Sequence, residues 1–103
     1  MEDREFVQYA GDYRIHDGII EKIFENEELI EVFIRSIDNV LFKIVFNNVK
    51  QLSSNKAIGM MLYSVSEISE EKPYRQFVFI NWDDEDDAYL KIISKSYEIQ
   101  EII

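Results

Sequence analysis

The single histidine of the chain, His16, is followed directly by Asp17. A histidine beside a carboxylate can act as a general acid or base. Hydrolysis also needs a nucleophile, but the chain has no cysteine and none of its serines lies in a G-x-S-x-G turn. Adjacent strand residues point to opposite faces, so Asp17 can orient His16 only where the chain bends back. We favour a solvated strand end; a pocket near His16 for a small ligand or for hydrolysis is the alternative.

Five consecutive carboxylates, Asp83 to Asp87, form the most unusual motif of the chain. Ca²⁺ takes about six to eight oxygen ligands, but the spacing and the glycine of an EF-hand loop are missing. Because such charges resist burial, we expect a solvated hairpin loop and no metal or other cofactor. The acids are flanked by aromatic residues, and aromatic anchors beside a charged rim are typical of protein interfaces. The candidate partner-binding residues are Trp82, Asp83, Asp84, Glu85, Asp86, Asp87 and Tyr89.

A second acidic segment, Glu25-Asn26-Glu27-Glu28, falls in another predicted turn. If both acidic turns lie at the same end of the fold, they form one negative surface that could dock a basic partner or mimic a nucleic-acid backbone. If they lie apart, they are two unrelated solvated turns. The sequence does not decide between these arrangements, and we favour the second.

The formal net charge of −10 is unevenly distributed. Residues 1–36 hold ten acids against four bases, and residues 83–103 hold seven against two, whereas residues 37–82 are close to neutral. Nucleic-acid phosphates and anionic lipid headgroups repel such a chain, because proteins bind both by charge neutralisation with Lys and Arg. We therefore expect no nucleic-acid and no membrane ligand, and the charge favours a basic protein as partner.

The elements that must position these residues are mostly strands, because from Tyr13 onward apolar residues recur with a period of two. Leu29 to Ser36 and Val40 to Phe46 form the clearest hairpin. Asp38-Asn39 is predicted to be its two-residue turn, since both residue types tolerate the positive φ of a type I′ turn. The side chains predicted to point inward are Ile30, Val32, Ile34, Val40, Phe42, Ile44 and Phe46.

Residues 3–10 are predicted to form a short helix, with Asp3 as the N-cap and Gly11 as the residue that ends it. We expect one domain spanning residues 1–103. Its predicted fold is mainly β, an antiparallel β-sandwich or open barrel of six to seven strands with that short N-terminal helix. The further predicted strands are Ile19 to Glu25, Val49 to Leu52, Ile58 to Ile68, Arg75 to Trp82 and Tyr89 to Tyr97.

The composition favours a cytoplasmic protein. The absence of cysteine is compatible with a reducing compartment. The first residues are acidic, where a signal peptide would be basic, and no apolar segment follows them. The longest apolar stretches are the length of a strand, whereas a membrane-spanning helix needs about 20 such residues.

Four segments, His16-Asp17-Gly18, Phe46 to Val49, Ile58 to Tyr63 and Asn81 to Ile92, together resemble small uncharacterised all-β proteins of Gram-positive bacteria. The chain is also similar in style to the acidic immunity proteins that neutralise polymorphic toxins. The resemblance spans most of the chain through the spacing of its hydrophobic residues. It implies protein binding and assigns no individual residue a role.

We therefore expect a non-enzymatic cytoplasmic β domain that binds another protein through an acidic surface, as an immunity or inhibitor protein would. An acidic surface speeds the approach of a basic partner by electrostatic steering. One alternative is a small-ligand-binding or hydrolytic domain with a pocket near His16. Another is a self-associating structural protein that forms a homodimer through an exposed edge strand.

Overall fold

The computed structural model describes residues 5–102, which form two antiparallel β-sheets. A single turn of 3-10 helix, Tyr13–Ile15, precedes the second strand. Across the described part of the chain, no helix has the length and apolar character needed to cross a membrane. The strands are β1 Phe6–Tyr9, β2 Ile19–Asn26, β3 Leu29–Arg35, β4 Leu41–Asn47, β5 Gln51–Asn55, β6 Leu62–Ile68, β7 Arg75–Asn81, β8 Tyr89–Ser94 and β9 Ser96–Glu101.

The two sheets pack face to face around one apolar core. The first has the strand order β1-β6-β7-β8-β5, and the second has the order β2-β3-β4-β9. Phe46 of β4 meets Phe77 and Phe79 of β7 across the interface, with ring centroids 5.2 and 5.9 Å apart. All three rings are buried. Because tilted and edge-to-face aromatic pairs are favourable beyond the area they bury, this contact holds the sheets together.

The predicted hairpin of β3 and β4 is confirmed, but its turn differs. The chain turns through three residues, Ile37 to Asn39, because the amide of Ser36 donates to the carbonyl of Val40. Of the three turn residues, only Asn39 has a positive φ, of 66°. The turn is therefore not the two-residue type I′ turn, which needs two such residues. Val40 is half-buried beside the turn. The other six predicted side chains are buried: Ile30, Val32, Ile34, Phe42, Ile44 and Phe46.

The predicted N-terminal helix is wrong. Its residues Phe6 to Tyr9 form β1, an edge strand paired with β6, and Asp3 lies outside the described residues. Gly11 has a positive φ of 80°, but it follows a strand and not a helix. A helix of eight residues is marginal by itself, whereas the edge of β6 offers hydrogen-bond partners along its length. A partner about sixty residues away therefore overrides the local preference.

The prediction of six to seven strands is also wrong, because residues 5–102 contain nine. The strand β1 replaces the helix, and the segment predicted as one strand from Tyr89 to Tyr97 is divided at Lys95. Its first part pairs with β5 and β7, and its second part pairs with β4 in the other sheet. The chain thus changes sheets at Lys95, where the inward apolar residues shift from Leu90 and Ile92 to Tyr97 and Ile99.

One end of the sandwich is closed by backbone hydrogen bonds between the two sheets. The amide of Leu62 donates to the carbonyl of Gly18, and the amide of Ile20 donates to that of Met60. Gly18 is required at this junction, since a Cβ atom there would lie 2.8 Å from Ile34 Cγ2 and 2.9 Å from the Ile15 carbonyl oxygen. The junction brings the start of β2 beside the start of β6.

The two acidic turns lie at opposite ends of the sandwich. The carbonyl of Glu28, in the β2–β3 turn, accepts a hydrogen bond from Val49. The acidic segment Asp83–Asp87 follows the C-terminal end of β7. At that end, the backbone amide of Trp82 donates to the carbonyl of Met61 in the sheet junction. The two segments are therefore two separate turns, which is the arrangement that we favour from the two left open by the sequence.

We expect Phe46→Ala to lower the free energy of unfolding by about 4 kcal/mol, because it leaves a cavity between the sheets. Phe24→Ala is the matched control, since Phe24 is 47% exposed whereas Phe46 is fully buried; its loss should be about 1 kcal/mol. Urea denaturation measures both values. Equal losses for the two variants would contradict the central role of the Phe46 contact.

A second prediction concerns Glu67, whose carboxylate is 2.8 Å from the Arg75 guanidinium. This bond holds the pKa of Glu67 below its usual value, with a smaller contribution from the Gln8 amide and against the effect of burial. The bond therefore stabilises the fold above the unfolded-state pKa, about 4.3. The stabilisation is lost as pH falls through the lower, folded-state pKa.

Glu67→Gln should lower the free energy of unfolding by about 2 kcal/mol at neutral pH, and this deficit should shrink on acidification below pH ~4. Glu21→Gln is the control, because Glu21 makes a more exposed ion pair with Arg35 and should cost less than about 1 kcal/mol. Urea denaturation between pH 3 and 7 measures the difference. A Glu67→Gln deficit that grows on acidification would reverse the expected sign.

Candidate functional site

The carboxylate of Asp17 joins the two motifs that the sequence singled out. Its Oδ1 accepts a hydrogen bond from the indole N–H of Trp82 and lies 3.3 Å from Nδ1 of His16. Asp17 has a φ of 69° in the turn before β2, so the chain bends back there as contact with His16 requires. The sheet junction at Gly18 brings this turn close to the end of β7.

Exposed side chains extend the surface around Asp17. The Tyr63 ring packs edge-to-face against His16 with a centroid separation of 4.8 Å. Trp82 is 54% exposed, although both its indole and its backbone amide are hydrogen-bonded. A large, ordered aromatic group in solvent is the type of anchor that dominates protein interfaces. We call the surface formed by His16, Asp17, Tyr63, Trp82 and residues 83–87 the Trp82 face.

The segment Asp83–Asp87 forms a loop, as predicted, and the Asn81 side chain holds its shape. The amide group of Asn81 donates to Asp86 Oδ2 at 3.0 Å and to the carbonyl of Ala88 at 3.1 Å. Its oxygen accepts the backbone N–H of Asp83 at 2.9 Å. One neutral side chain thus bridges both ends of the loop.

The five carboxylates of the loop have different surroundings. Asp87 pairs with Lys56 at 3.2 Å, and Asp83 accepts the backbone N–H of Glu85. The carboxylates of Asp84 and Glu85 have no hydrogen-bond or ion-pair partner within residues 5–102. No three His, Cys, Asp or Glu side chains of the described residues converge as a metal site would require. The unpaired charge therefore lies at the loop tip.

The two aromatic residues that flank the loop are directed apart. Trp82 is hydrogen-bonded on the β6 side, to Asp17 and Met61. Tyr89 is hydrogen-bonded on the β5 side, where its hydroxyl lies 3.3 Å from Ser53 Oγ. The structure thus places Trp82 with His16 and Tyr63, and it places Tyr89 at the other side of the loop.

A groove of about 640 Å³ shares His16 and Tyr63 with the Trp82 face and lies between the chain from Tyr9 to His16 and the start of β6. Its walls include Tyr9, Tyr13, His16 and Tyr63. Ser64 also lines it, and the Ser64 hydroxyl is buried without a hydrogen-bond partner among the described residues. The sequence indicated the His16 end of this groove but gave no signal for Ser64.

The acid that lines the groove, Asp12, is already neutralised by the chain. Arg14 binds both of its oxygens, through Nε at 3.1 Å and Nη2 at 2.8 Å. These bonds hold the pKa of Asp12 below its usual value. Arg14 also pairs with Glu101 at 3.1 Å. The pair therefore fixes the loop between β1 and β2 against β9.

The arrangement lacks a bonded nucleophile–base pair. General-base activation of a hydroxyl needs a hydrogen bond from nucleophile to base. The Ser64 hydroxyl makes no such bond to His16 or to any other described residue. His16 instead contacts Asp17 and the Tyr63 ring. These contacts hold the His16 and Tyr63 rings in place.

We expect removal of the Asp17 carboxylate to loosen Trp82. Asp17→Gly keeps the positive φ of 69° without strain but deletes the acceptor, whereas Asp17→Asn keeps an oxygen. Because Trp82 is the only tryptophan, acrylamide quenching of its fluorescence reports on this site alone. The quenching constant should rise about twofold in Asp17→Gly and by less in Asp17→Asn; an unchanged constant in both variants would show that the bond does not order the indole.

The chain was compared with known proteins at three levels. Neither the protein-family models, nor the curated proteins, nor the solved structures contain a match to it. The similarity to immunity proteins therefore stays a hypothesis that rests on the spacing of hydrophobic residues in the sequence.

Proposed function

We propose that this chain is a non-enzymatic cytoplasmic protein that binds a basic protein partner through the Trp82 face, in the manner of an immunity or inhibitor protein. The observation that carries this proposal is that Trp82 is 54% exposed while its indole is hydrogen-bonded to Asp17. Ordering an aromatic anchor before binding reduces the entropy lost on association.

The charges around this anchor favour a basic partner. The carboxylates of Asp84 and Glu85, which have no partner among residues 5–102, lie at the loop tip beside Trp82, and the whole chain carries a net charge of −10. Interfaces commonly combine an apolar centre with a polar, solvent-accessible rim. Rim charges act mainly on the association rate, which makes it sensitive to salt.

The two alternatives have narrower support. The groove beside His16 suits a small ligand, but hydrolysis there lacks a nucleophile bonded to a base. Self-association has support in β1, an edge strand with all four side chains exposed and none of them charged. Unprotected edges of this kind pair with other strands. Light scattering at two protein concentrations separates a homodimer from a monomer that binds another protein.

Peptide display tests the proposal with ligands of random sequence. A library of random 12-residue peptides is selected on the folded chain, and we expect enrichment of Lys or Arg together with apolar residues. Trp82→Ala should weaken the selected peptides roughly tenfold, as expected for an interface anchor. The proposal would be contradicted if the selected peptides lacked basic residues, or if Trp82→Ala left their affinity unchanged.

The two acidic turns supply a matched pair of charge variants. The first variant neutralises Asp83, Asp84 and Glu85 to their amides, and the second neutralises Glu25, Glu27 and Glu28, so both change the net charge by the same amount. We expect the first to weaken peptide binding about fivefold at low salt and the second by less than about twofold. Equal effects would mean that only the overall charge matters.

A further inference from the structure

Among residues 5–102 there are four edge strands, and β1 differs from the other three in its contact with the core. Each of the other three packs at least one apolar side chain in or against the core: Ile20 of β2, Leu52 of β5 and Ile99 of β9. All four side chains of β1 are exposed. Since apolar burial is the dominant favourable term in folding, β1 lacks the principal attachment that the other edges have.

Polar contacts attach β1 to its sheet. Its backbone pairs with β6, but a bulge between Phe6 and Gln8 interrupts the ladder. The side-chain amide of Gln8 donates to Glu67 Oε1 at 3.0 Å. The ring contact between Phe6 and Tyr9 joins two residues of β1 itself, so it does not tie the strand to the rest of the fold. Such hydrogen bonds stabilise the docked strand only modestly, because water replaces them when it leaves.

The charge buried beneath β1 keeps its partner without β1. Arg75 binds both oxygens of Glu67, at 2.8 and 3.0 Å, and this pair joins β6 to β7. The backbone of β6 also stays paired with β7 along its other side. Departure of β1 therefore leaves no buried charge unpaired, which would otherwise be a large cost.

The chain is firmly anchored directly after β1. Ala10 is buried, and its amide donates to the carbonyl of Val65 at 2.9 Å. The amide of Gly11 donates to the hydroxyl of Tyr97 at 3.0 Å. These two bonds attach the chain to both sheets, so an opening that starts in β1 ends at Tyr9.

We infer that β1 is a detachable strap, which leaves β6 as one unit while the other eight strands of residues 5–102 stay folded. Local opening of this kind is expected where a segment buries few apolar groups. When the strap opens, β6 becomes the free edge of its sheet and the groove loses Tyr9, one of its walls. Free edges pair with other extended chains, so the strap controls access to β6.

This inference does not depend on the Trp82 face. The hydrogen bonds of Trp82 go to Asp17 and Met61, which lie outside the ladder between β1 and β6. The strap can therefore be tested with no partner protein present.

Amide hydrogen exchange followed by NMR tests the strap in the unmodified chain. The amide of Ser69 donates to the carbonyl of Glu5 at 2.8 Å, so it loses this acceptor when the strap opens. The amides of Ala10 and Ile20 keep their acceptors, the carbonyls of Val65 and Met60. We expect the protection factor of Ser69 to be at least about hundredfold below those of Ala10 and Ile20. Equal protection of Ser69 and Ala10 would overturn the inference.

A disulfide lock separates opening of the strap from fraying of the loop after β6. Phe6 and Ile68 lie directly opposite each other and the chain has no cysteine of its own, so Phe6→Cys with Ile68→Cys can form one defined bond. Its oxidation should raise the protection factor of Ser69 at least about tenfold. The matched control is Ser53→Cys with Lys91→Cys, at opposite positions of the β5 edge, and its oxidation should leave Ser69 unchanged. An equal effect of the two locks on Ser69, or no effect of the first, would show that β1 does not open as a strap.

Discussion

Backbone hydrogen bonds between the chain around Gly18 and the chain around Met60 tie the two sheets together at one end of the sandwich. Their position fixes the turn that holds Asp17 next to the end of β7. Without them, the indole of Trp82 would have no carboxylate partner and the groove would lose one wall. The absence of a side chain at Gly18 is what permits this close approach, because a Cβ atom would contact Ile34 and a backbone oxygen.

The aromatic core and the surface site depend on each other through β7. Its inward residues Phe77 and Phe79 pack on Phe46, and the same strand continues to Asn81, which shapes the acidic loop. The strand lies in the middle of its sheet, so neighbours on both sides hold it. The loop and the anchor are thus built on a rigid element, which favours a preformed binding surface.

The sequence predicted well what local patterns determine. The hairpin of β3 and β4 follows from apolar alternation and a short turn, and the loop at Asp83–Asp87 follows from charge repulsion. The sequence-based prediction failed where strands pair with distant parts of the chain, since β1 pairs with β6, about sixty residues later. It missed the change of sheet at Lys95, where the polar run Ser94-Lys95-Ser96 interrupts the alternation and the inward apolar residues shift from even to odd positions.

The sequence predicted only part of the candidate site, because its contacts also join distant positions of the chain. His16, Asp17 and Trp82 were each identified from their residue types, but their contact joins positions 65 residues apart. The turn at Asp17 was recognised as the condition for a contact with His16, and no pattern linked it to Trp82. Tyr63 and Ser64 carry no signal of their own, because tyrosine and serine are ordinary strand residues.

The hydrogen bonds of the Asn81 side-chain amide determine which residues of this surface can vary in evolution. It fixes the loop through backbone groups and Asp86, while Asp84 and Glu85 take no part in holding the loop shape through their side chains. The two tip residues can therefore be exchanged without disturbing the scaffold, much as antibody loops vary on a constant framework. On the proposed role of the Trp82 face, partner choice and folding stability would be separately adjustable, and new specificities would arise at little cost to the fold.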